Sequence, residues 1–193
     1  MEMTARKIYQ ILIELRGSQP KIWRRLLISS QMSLYDLHRT IQLAMDWDNS
    51  HMHHFIKDKK IYALRTPWDD YWEEMGCIDY SEIKVSDLLK RKGSKMLYEY
   101  DFGDSWYHDI IVEKTNVSST HKMLPVCLEG ENNSPPEDCG GIWSYMNILE
   151  ILKDPEHEEY DEWAEWMSED FDPTYFDKDK LNKRFELLLG DCG

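Results

Sequence analysis

Residues 98–110, YEYDFGDSWYHDI, have the composition of two β-strands joined by a tight turn. Aromatic and β-branched residues favour strands, and a glycine at the first central position suits a type II′ turn at Gly103-Asp104. Because opposed residues share a sheet face, this turn predicts one face that carries Leu97, Glu99, Asp101, Trp106, His108 and Ile110. The other face, which suits a hydrophobic core, would carry Tyr98, Tyr100, Phe102, Tyr107 and Ile111.

The first of these faces gathers two carboxylates and an imidazole. Carboxylates are rarely buried without a partner, so packing alone does not explain Glu99, Asp101 and His108. A carboxylate beside a histidine raises the histidine pKa and fixes its tautomer, which suits general acid–base catalysis or metal binding. Glu99 and His108 are therefore candidate catalytic residues. Asp104, in the turn between the two strands, is the third. The alternative is a partly exposed face with ordinary cross-strand pairs, and one β-bulge would separate the group.

The sequence before this hairpin predicts four more strands. Residues 6–15 contain alternating apolar positions and predict a strand, and residues 21–29 predict a second. The turn sequence GSQP between them predicts that the two form a first hairpin. Residues 51–57 and 60–64 predict a second. Residues 115–140 contain three prolines and predict a long connection.

Helices are predicted mainly after the strands. A helix beginning after its N-cap Ser33 would place on one face Leu34, Leu37, Ile41, Ala44 and Met45. Residues 141–153, 155–168 and 178–189 predict three C-terminal helices, the second opened by Asp154-Pro155 and the third capped by Asp177. The order of elements predicts an α+β fold, with helices packed on a mainly antiparallel sheet and a helical C-terminal third.

Composition and charge indicate a globular protein with one strongly acidic segment. The chain has 193 residues, 41% of them hydrophobic and 31% charged, which predicts a single domain. Its net charge is −14, and residues 154–179 contain twelve Asp or Glu residues and one Lys. Residues 154–193 are interpreted as an acidic helical elaboration of that domain. Because acidic surfaces repel phosphate backbones, direct nucleic-acid binding is disfavoured.

Targeting signals are not evident in the sequence. The N-terminal residues lack the apolar segment of a secretory signal, and no apolar run is long enough to cross a membrane. The cysteines lack CxxC spacing. These features predict a cytoplasmic protein with reduced thiols and no membrane partner.

The histidines of SHMHHF, residues 50–55, form a second group of potential ligands. In a strand, the period of two places His51 and His53 on one face and His54 on the other. Two imidazoles at this spacing bind one metal ion when a carboxylate arrives from a neighbouring strand. Asp101 is the candidate carboxylate, so a divalent metal is predicted at His51, His53 and Asp101. The alternative is a set of hydrogen-bonded structural histidines.

Eight tryptophans support a binding hypothesis, because tryptophan is enriched at binding hot spots. Trp68, Trp72 and Trp143 are predicted in loops or at their borders, and Trp106 lies on the polar face of the hairpin. These four are the candidate binding residues for a protein or peptide partner. The alternative is that they belong to the core.

The segment PPEDCGG, which ends at Gly141, predicts a rigid turn that leads into a helix. The charges of Glu137 and Asp138 are favourable near a helix start, and Gly140 and Gly141 allow close backbone approach. Cys139 is either a structural cysteine or a thiol whose pKa is lowered at the helix N-terminus.

Five segments, taken in order, resemble the Ri-plasmid open-reading-frame-three-like family: PKIWRRLLI, SLYDLHRTIQLAMDWDNSHMHHF, YEYDFGDSWYHDI, PPEDCGG and DPEHEEY. The resemblance runs from about residue 6 to residue 185. It implies a single-domain α+β fold and an association with plasmids and transposable elements. It does not imply a reaction.

Three functions are open at this point. The first is an interaction module of a plasmid- or mobile-element-associated family, which binds a protein or peptide. The second is a metal-assisted hydrolase, in which the predicted metal ion activates water and the candidate catalytic residues act as acid or base. The third is a nucleic-acid-associated protein, suggested by the mobile-element association.

Overall fold

The computed structural model describes residues 7–65, 75–121, 123–167 and 171–190. Within them it contains an eight-stranded sheet and five helices, which confirms the α+β prediction. The strands are β1 (Ile8–Leu15), β2 (Trp23–Ser29), β3 (His53–Lys57), β4 (Lys60–Ala63), β5 (Ile78–Asp79), β6 (Lys95–Tyr100), β7 (Trp106–Lys114) and β8 (Val126–Glu131). The helices are α1 (Leu34–Met45), α2 (Val85–Leu88), α3 (Gly141–Ile151), α4 (Tyr160–Met167) and α5 (Lys178–Gly190).

The sheet has the strand order β5-β4-β3-β6-β7-β1-β2-β8. Every neighbouring pair is antiparallel except β4 and β5, so the sheet is mainly antiparallel, as predicted. The β6–β7 hairpin lies at the centre, with β3 bonded to one side and β1 to the other. Its residues are therefore enclosed by partner strands on both sides.

One face of the sheet forms the hydrophobic core with the helices. The alternation of β1 places Ile11, Ile13 and Leu15 on this face, where all three are buried. Tyr98 of β6 lies on the same face, and its hydroxyl accepts a hydrogen bond from Gln42 Nε2 of α1 at 2.9 Å. Helix α1 therefore packs on the sheet face that carries the inward side chains of β1 and β6.

Helix α1 follows its sequence pattern closely. Ser33 is the N-cap, and its hydroxyl accepts a hydrogen bond from Asp36 N at 3.0 Å. The predicted apolar face is buried at all five positions, namely Leu34, Leu37, Ile41, Ala44 and Met45. This helix was predictable because its cap and its stripe are both local signals.

Strand β8 was not predicted, because residues 115–140 were interpreted as a connection without strands. The strand is short and contains Gly130, and its residues mostly remain half-exposed or exposed at the edge of the sheet. Helix α5 covers this edge, where the Asn182 side chain accepts from Cys127 N at 2.7 Å and donates to Cys127 O at 3.0 Å. The strand is therefore supported by a tertiary contact that its own sequence does not reveal.

The register predicted for the β6–β7 hairpin is wrong by one residue. Tyr100 pairs with Trp106 and Tyr98 pairs with His108, so five residues, not two, connect the strands. Asp101 and Ser105 take left-handed backbone conformations, with φ of 56° and 53°, and Ser105 N donates to Asp101 O. The slip moves His108 to the core face and leaves Glu99 on the opposite face.

The C-terminal third is helical in part. Helix α3 agrees with its prediction, and Asp177 caps α5 by accepting from Asp179 N and Lys180 N, both at 2.9 Å. Helix α4 begins at Tyr160, later than predicted, because residues 154–159 form successive turns. None of the helices in the described residues is both long and apolar enough to cross a membrane.

Candidate functional site

Three polar side chains from three separate connections meet beside the central hairpin. His51 precedes β3, Asp101 begins the β6–β7 connection, and Asp138 lies in the turn before α3. His51 Nδ1 is 3.7 Å from Asp101 Oδ2, and His51 Nε2 is 3.2 Å from Asp138 Oδ1. One potential ligand atom from each residue lies within 4.8 Å of the other two. The fold therefore brings an imidazole and two carboxylates to one point.

The trio is reached from solvent on one side. The Asp138 side chain is 72% exposed, whereas those of His51 and Asp101 are 28% and 11% exposed. His51 Nε2 is itself covered and has no hydrogen-bond partner, although Asp138 Oδ1 is close. His51 Nε2 and Asp138 Oδ1 are close enough to pair with each other or to bind one cation together.

The two carboxylates are oriented by unusual backbone conformations. Asp101 and Asp138 both have positive φ, 56° and 61°. Asp101 Oδ1 accepts a hydrogen bond from Gly103 N at 2.9 Å. That bond fixes the carboxylate and leaves Asp101 Oδ2 turned towards His51.

Tyr100 links the three connections beneath the trio. Its hydroxyl accepts from Ser50 N at 3.0 Å and from His51 N at 3.3 Å, and it donates to Glu137. Tyr100 directly precedes Asp101, and Glu137 directly precedes Asp138. The Tyr100 hydroxyl is therefore bonded to the backbone of His51 and to Glu137, the neighbour of Asp138. Tyr100 is itself the neighbour of Asp101. Burial and the bond to Glu137 raise the pKa of Tyr100 to about 12, so it stays a donor at neutral pH.

A second junction holds the turn before α3 against the hairpin connection. Gly140 N donates to Asp104 Oδ2 at 3.0 Å. Gly141 has a φ of +79°, and a Cβ at this position would lie 2.4 Å from Asp104 O. The close backbone approach expected of these glycines is confirmed. It places Asp138 beside Asp101.

His53, the third predicted ligand, lies elsewhere. Its ring stacks on His38 with centroids 3.4 Å apart and an interplanar angle of 4°, and its Nε2 is hydrogen-bonded to the Tyr80 hydroxyl. Burial lowers the pKa of His53 to about 3 and that of His38 to about 4. Both rings are therefore neutral at physiological pH. The structure brings His51 and Asp101 together and places Asp138, not His53, beside them.

The three predicted catalytic residues are separated. Glu99 lies on the other sheet face, 2.7 Å from His54 Nε2. Burial acts to raise the pKa of Glu99, but hydrogen bonds from His54 and Tyr107 outweigh it and lower the pKa. His108 is wholly buried against Trp47, and burial lowers its pKa to about 3. Asp104 alone remains near the trio, and its carboxylate is bonded to Gly140 N.

The candidate binding tryptophans also separate. Trp106 is buried in the core, where its ring packs on Trp47. Trp143 on α3 is 85% exposed. Trp68 and Trp72 lie outside the described residues.

Cys139 is a structural cysteine. It is buried, and burial raises the pKa of its thiol to about 12. The alternative of a lowered thiol pKa is therefore wrong, because the loss of solvation outweighs any effect of the helix start. The thiol is protonated at neutral pH.

The basic pair on β2, Arg24 and Arg25, is engaged by groups of the folded protein. Arg24 is buried, donates to the backbone oxygens of Ala44 and Glu131, and lies 4.1 Å from the centroid of the Phe176 ring. Arg25 is paired with Glu129 of the adjacent strand β8 and with Glu113 of β7, which lies beyond β1 in the sheet. Neither residue forms an open basic surface for nucleic acid.

Asp138 is the residue that sequence reasoning missed as a potential ligand. Its sequence signal, an acidic pair before Cys139 and two glycines, was interpreted as a favourable charge near a helix start. Neither periodicity nor spacing connects this turn to His51. Only the antiparallel pairing of β3, β6 and β7 and the contact between Gly141 and Asp104 bring them together.

Comparisons with known proteins agree with the fold. The model of the plasmid pRiA4b ORF-3-like protein family matches residues 7–180. The uncharacterized protein y4hQ of Sinorhizobium fredii (strain NBRC 101917 / NGR234) is 34% identical over 183 residues, 94% of this chain and 92% of that protein. The crystal structure of MM3350, a protein of unknown function from Methanosarcina mazei Go1, has a TM-score of 0.80 and 34% identity, and covers 92% of this chain and 98% of that one.

Proposed function

This chain belongs to the plasmid pRiA4b ORF-3-like family, and we propose that it binds one divalent transition-metal ion through His51, Asp101 and Asp138. The observation that carries this proposal is that one ligand atom from each of the three residues lies within 4.8 Å of the others. Ligand atoms around a metal held at about 2.1 Å lie up to about 4 Å apart, so only small side-chain movements are needed. Asp138, the most exposed of the three, has the freedom to make them.

The donor set favours zinc or manganese. An imidazole suits zinc and other transition metals, whereas carboxylates suit manganese and harder ions as well. Two carboxylates and a neutral imidazole balance the charge of a divalent cation. The chain's net charge of −14 attracts cations over a longer range.

The surroundings of the trio support a preorganised site. Ligands hold a metal tightly when neighbouring hydrogen bonds fix their orientation. Tyr100 provides such bonds through Ser50 N, His51 N and Glu137, and Gly103 N provides one to Asp101. The ligand-bearing connections are therefore held before any ion binds.

Three protein ligands leave coordination positions for water. A divalent metal lowers the pKa of such a water and produces a nucleophile near neutral pH, which is the chemistry of metal-assisted hydrolysis. His108 and Glu99 do not face the trio, so neither is proposed as the acid or base. Hydrolysis at this site would depend on the metal-bound water itself.

The test is metal analysis and calorimetric titration with Zn²⁺ and Mn²⁺, on protein purified without a metal-affinity step. We expect one ion per chain for at least one of the two metals. Asp101→Asn and Asp138→Asn should each weaken binding about tenfold or more. Asparagine tolerates the left-handed backbone and keeps the carbonyl that accepts the Gly103 N–H, so folding should be retained.

Asp58→Asn is the matched control. Asp58 also has positive φ, 50°, but it lies exposed in the β3–β4 turn beside Lys57. This variant should bind metal like the wild type. If neither ion binds stoichiometrically, or if the Asp101→Asn, Asp138→Asn double variant binds as tightly as the control, the proposal is wrong.

A further inference from the structure

A turn rich in lysine and arginine lies at the opposite end of β6 from the candidate metal site. Residues 84–95, which contain α2 and the turn that leads into β6, include five Lys or Arg residues and one Asp. Four of these cations belong to residues 90–95, here called the basic turn, and all four are exposed. Strand β6 begins at Lys95 and ends at Tyr100 beside the trio, so about 17 Å of strand separates the two places.

Hydrogen bonds hold the basic turn against β7. Gly93 N donates to Val112 O at 2.8 Å, and Val112 N donates to Ser94 O at 2.9 Å. Within the turn, Ser94 N donates to Arg91 O at 3.0 Å, and Ser94 Oγ accepts from Arg91 N at 3.2 Å. The cations are therefore carried by a fixed backbone.

The basic turn borders a groove on the sheet face opposite the core. The groove has a volume of about 720 Å³, crosses β7, β1, β2 and β8, and is lined by Lys92 and Lys114. Lys95 is paired with Ile111, which also lines the groove, and opposed residues share a sheet face. Three lysines therefore border the groove. Ile111 and Leu128 give it apolar walls.

The charges of these three lysines are not neutralised locally. Within the described part of the chain, no carboxylate oxygen lies within 4.0 Å of the ammonium group of Lys92, Lys95 or Lys114. The two carboxylates that line the groove are both paired with Arg25. A chain with a net charge of −14 thus presents a local cluster of open cations beside a groove.

We propose that the basic turn and the groove bind an acidic segment of a partner protein. Its Asp or Glu side chains would pair with the three lysines, and an apolar side chain would contact Ile111 and Leu128. Charge complementarity selects this occupant, because a patch of one sign favours a partner of the opposite sign. A nucleic acid fits less well, since its regularly spaced phosphates would also meet the two groove carboxylates, where a peptide can place neutral side chains.

The test uses the full chain and four fluorescently labelled probes, whose binding is measured by anisotropy at low and moderate salt. The first probe is a 12-residue peptide of Glu and Leu. The second has Gln in place of every Glu, the third has Ser in place of every Leu, and the fourth is a 12-nucleotide single-stranded DNA. We expect the Glu/Leu peptide to bind, the Gln peptide and the DNA to bind at least about tenfold more weakly, and the Leu-free peptide several-fold more weakly.

A triple variant tests the lysines that border the groove: Lys92→Gln, Lys95→Gln and Lys114→Gln. It should weaken binding of the Glu/Leu peptide about tenfold or more and reduce the dependence of binding on salt, because three charge pairs with the peptide are lost. All three side chains belong to exposed residues without an ion pair in the described chain, so folding should be retained.

The matched control removes the same charge from three exposed lysines elsewhere: Lys153→Gln, Lys180→Gln and Lys183→Gln. None of these residues lines the groove. Binding of the Glu/Leu peptide should change less than about twofold. Net charge alone predicts equal effects of the two triple variants.

Each contrary result overturns the proposal. Equal weakening by the two triple variants would mean attraction to net charge. Equal binding of the Gln peptide would remove the lysines from the interaction, and equal binding of the Leu-free peptide would remove the groove. Tighter binding of the DNA would identify nucleic acid as the occupant, and sedimentation that shows a dimer broken by the groove triple variant would identify a second copy of this chain. None of these measurements depends on metal, so this proposal and the metal proposal fail separately.

Discussion

His51 and His53 are two residues apart, yet they lie in opposite kinds of environment. His51 lies between two carboxylates at a solvent-accessible edge, and His53 is stacked on His38 and bonded to Tyr80 inside the protein. Each histidine region has its own tyrosine on β6. Tyr98 is bonded to His38 and Gln42, whereas Tyr100 is bonded to the backbone of Ser50 and His51.

Residue type and spacing alone therefore do not decide the role of a histidine. Strand β3 begins at His53, so His51 lies outside the strand and its side chain does not follow the period of two. Inside the core a neutral imidazole is favoured, because burial penalises its charged form. At the edge, an imidazole beside two carboxylates is suited to a cation.

The buried histidine region should lose the most stability when the pH falls. Burial lowers the pKa of His38 to about 4 and those of His53 and His108 to about 3, against about 6.5 for an unfolded histidine. Below pH 6.5 the unfolded chain binds protons that the native state excludes. Stability should therefore be complete above about pH 6.5 and fall towards pH 4, by about 1.4 kcal/mol per pH unit for each histidine.

Urea unfolding at pH 7, 6 and 5 measures this dependence. His53→Phe keeps an aromatic ring but removes one titrating group, so its slope should be shallower than that of the wild type. A free energy of unfolding that does not change between pH 7 and pH 5 would contradict the assignment of these rings as buried and neutral.

The next effect separates the two histidines by stability. His53→Ala removes a stacked ring and leaves the Tyr80 hydroxyl without its partner, so we expect a loss of about 3 kcal/mol in the free energy of unfolding. The affinity of the folded fraction for Zn²⁺ or Mn²⁺ should change little. A large loss of metal affinity in this variant would return His53 to the ligand set.

His51→Ala should show the reverse behaviour. Loss of a ligand should weaken metal binding about 100-fold or more, which exceeds what outer hydrogen-bond partners usually contribute. Its metal-free stability should stay within about 1 kcal/mol of the wild type, because the side chain is part-exposed and its Nε2 makes no hydrogen bond. Calorimetric titration and urea unfolding of the same preparation measure both values. Unchanged affinity would remove His51 from the site.

A smaller change in metal affinity should distinguish the two tyrosines of β6, Tyr98 and Tyr100. Tyr100→Phe removes the hydroxyl that links Ser50, His51 and Glu137, and should weaken metal binding about tenfold. Tyr98→Phe is the matched control, because it removes a hydroxyl from the same face of the same strand. It should lower stability by about 1 kcal/mol and leave metal affinity unchanged. Equal metal affinities of the two variants would show that Tyr100 does not position the ligands.

Much of the fold was predictable because its signals are local. The cap of α1 at Ser33, its buried stripe, the first hairpin and the cap of α5 at Asp177 all follow from residues within a few positions of each other. Strand β8 was missed because it is short and depends on Asn182 for edge cover. The start of α4 was placed too early because residues 154–159 form turns that a proline and acidic residues do not distinguish from a helix.

The candidate site was predictable only in part. His51 and Asp101 were identified as potential ligands from residue type and from the expected adjacency of two hairpins. Asp138 was not, since its position depends on the approach of Gly141 to Asp104. The register of the central hairpin was also missed, because a connection of five residues instead of two shifts the pairing by one residue, which moves side chains to the other face without any change in composition.

The α+β class, the family, the acidic character of one segment and the elements with strong local periodicity all follow from the amino-acid sequence. These depend on contacts between near neighbours, whose energies are set by residue type and spacing. Tertiary contacts were needed to establish which histidine lies beside the carboxylates and which aromatic residues are buried. Those outcomes depend on strand register and on the meeting of distant connections, and a displacement of one residue reverses them.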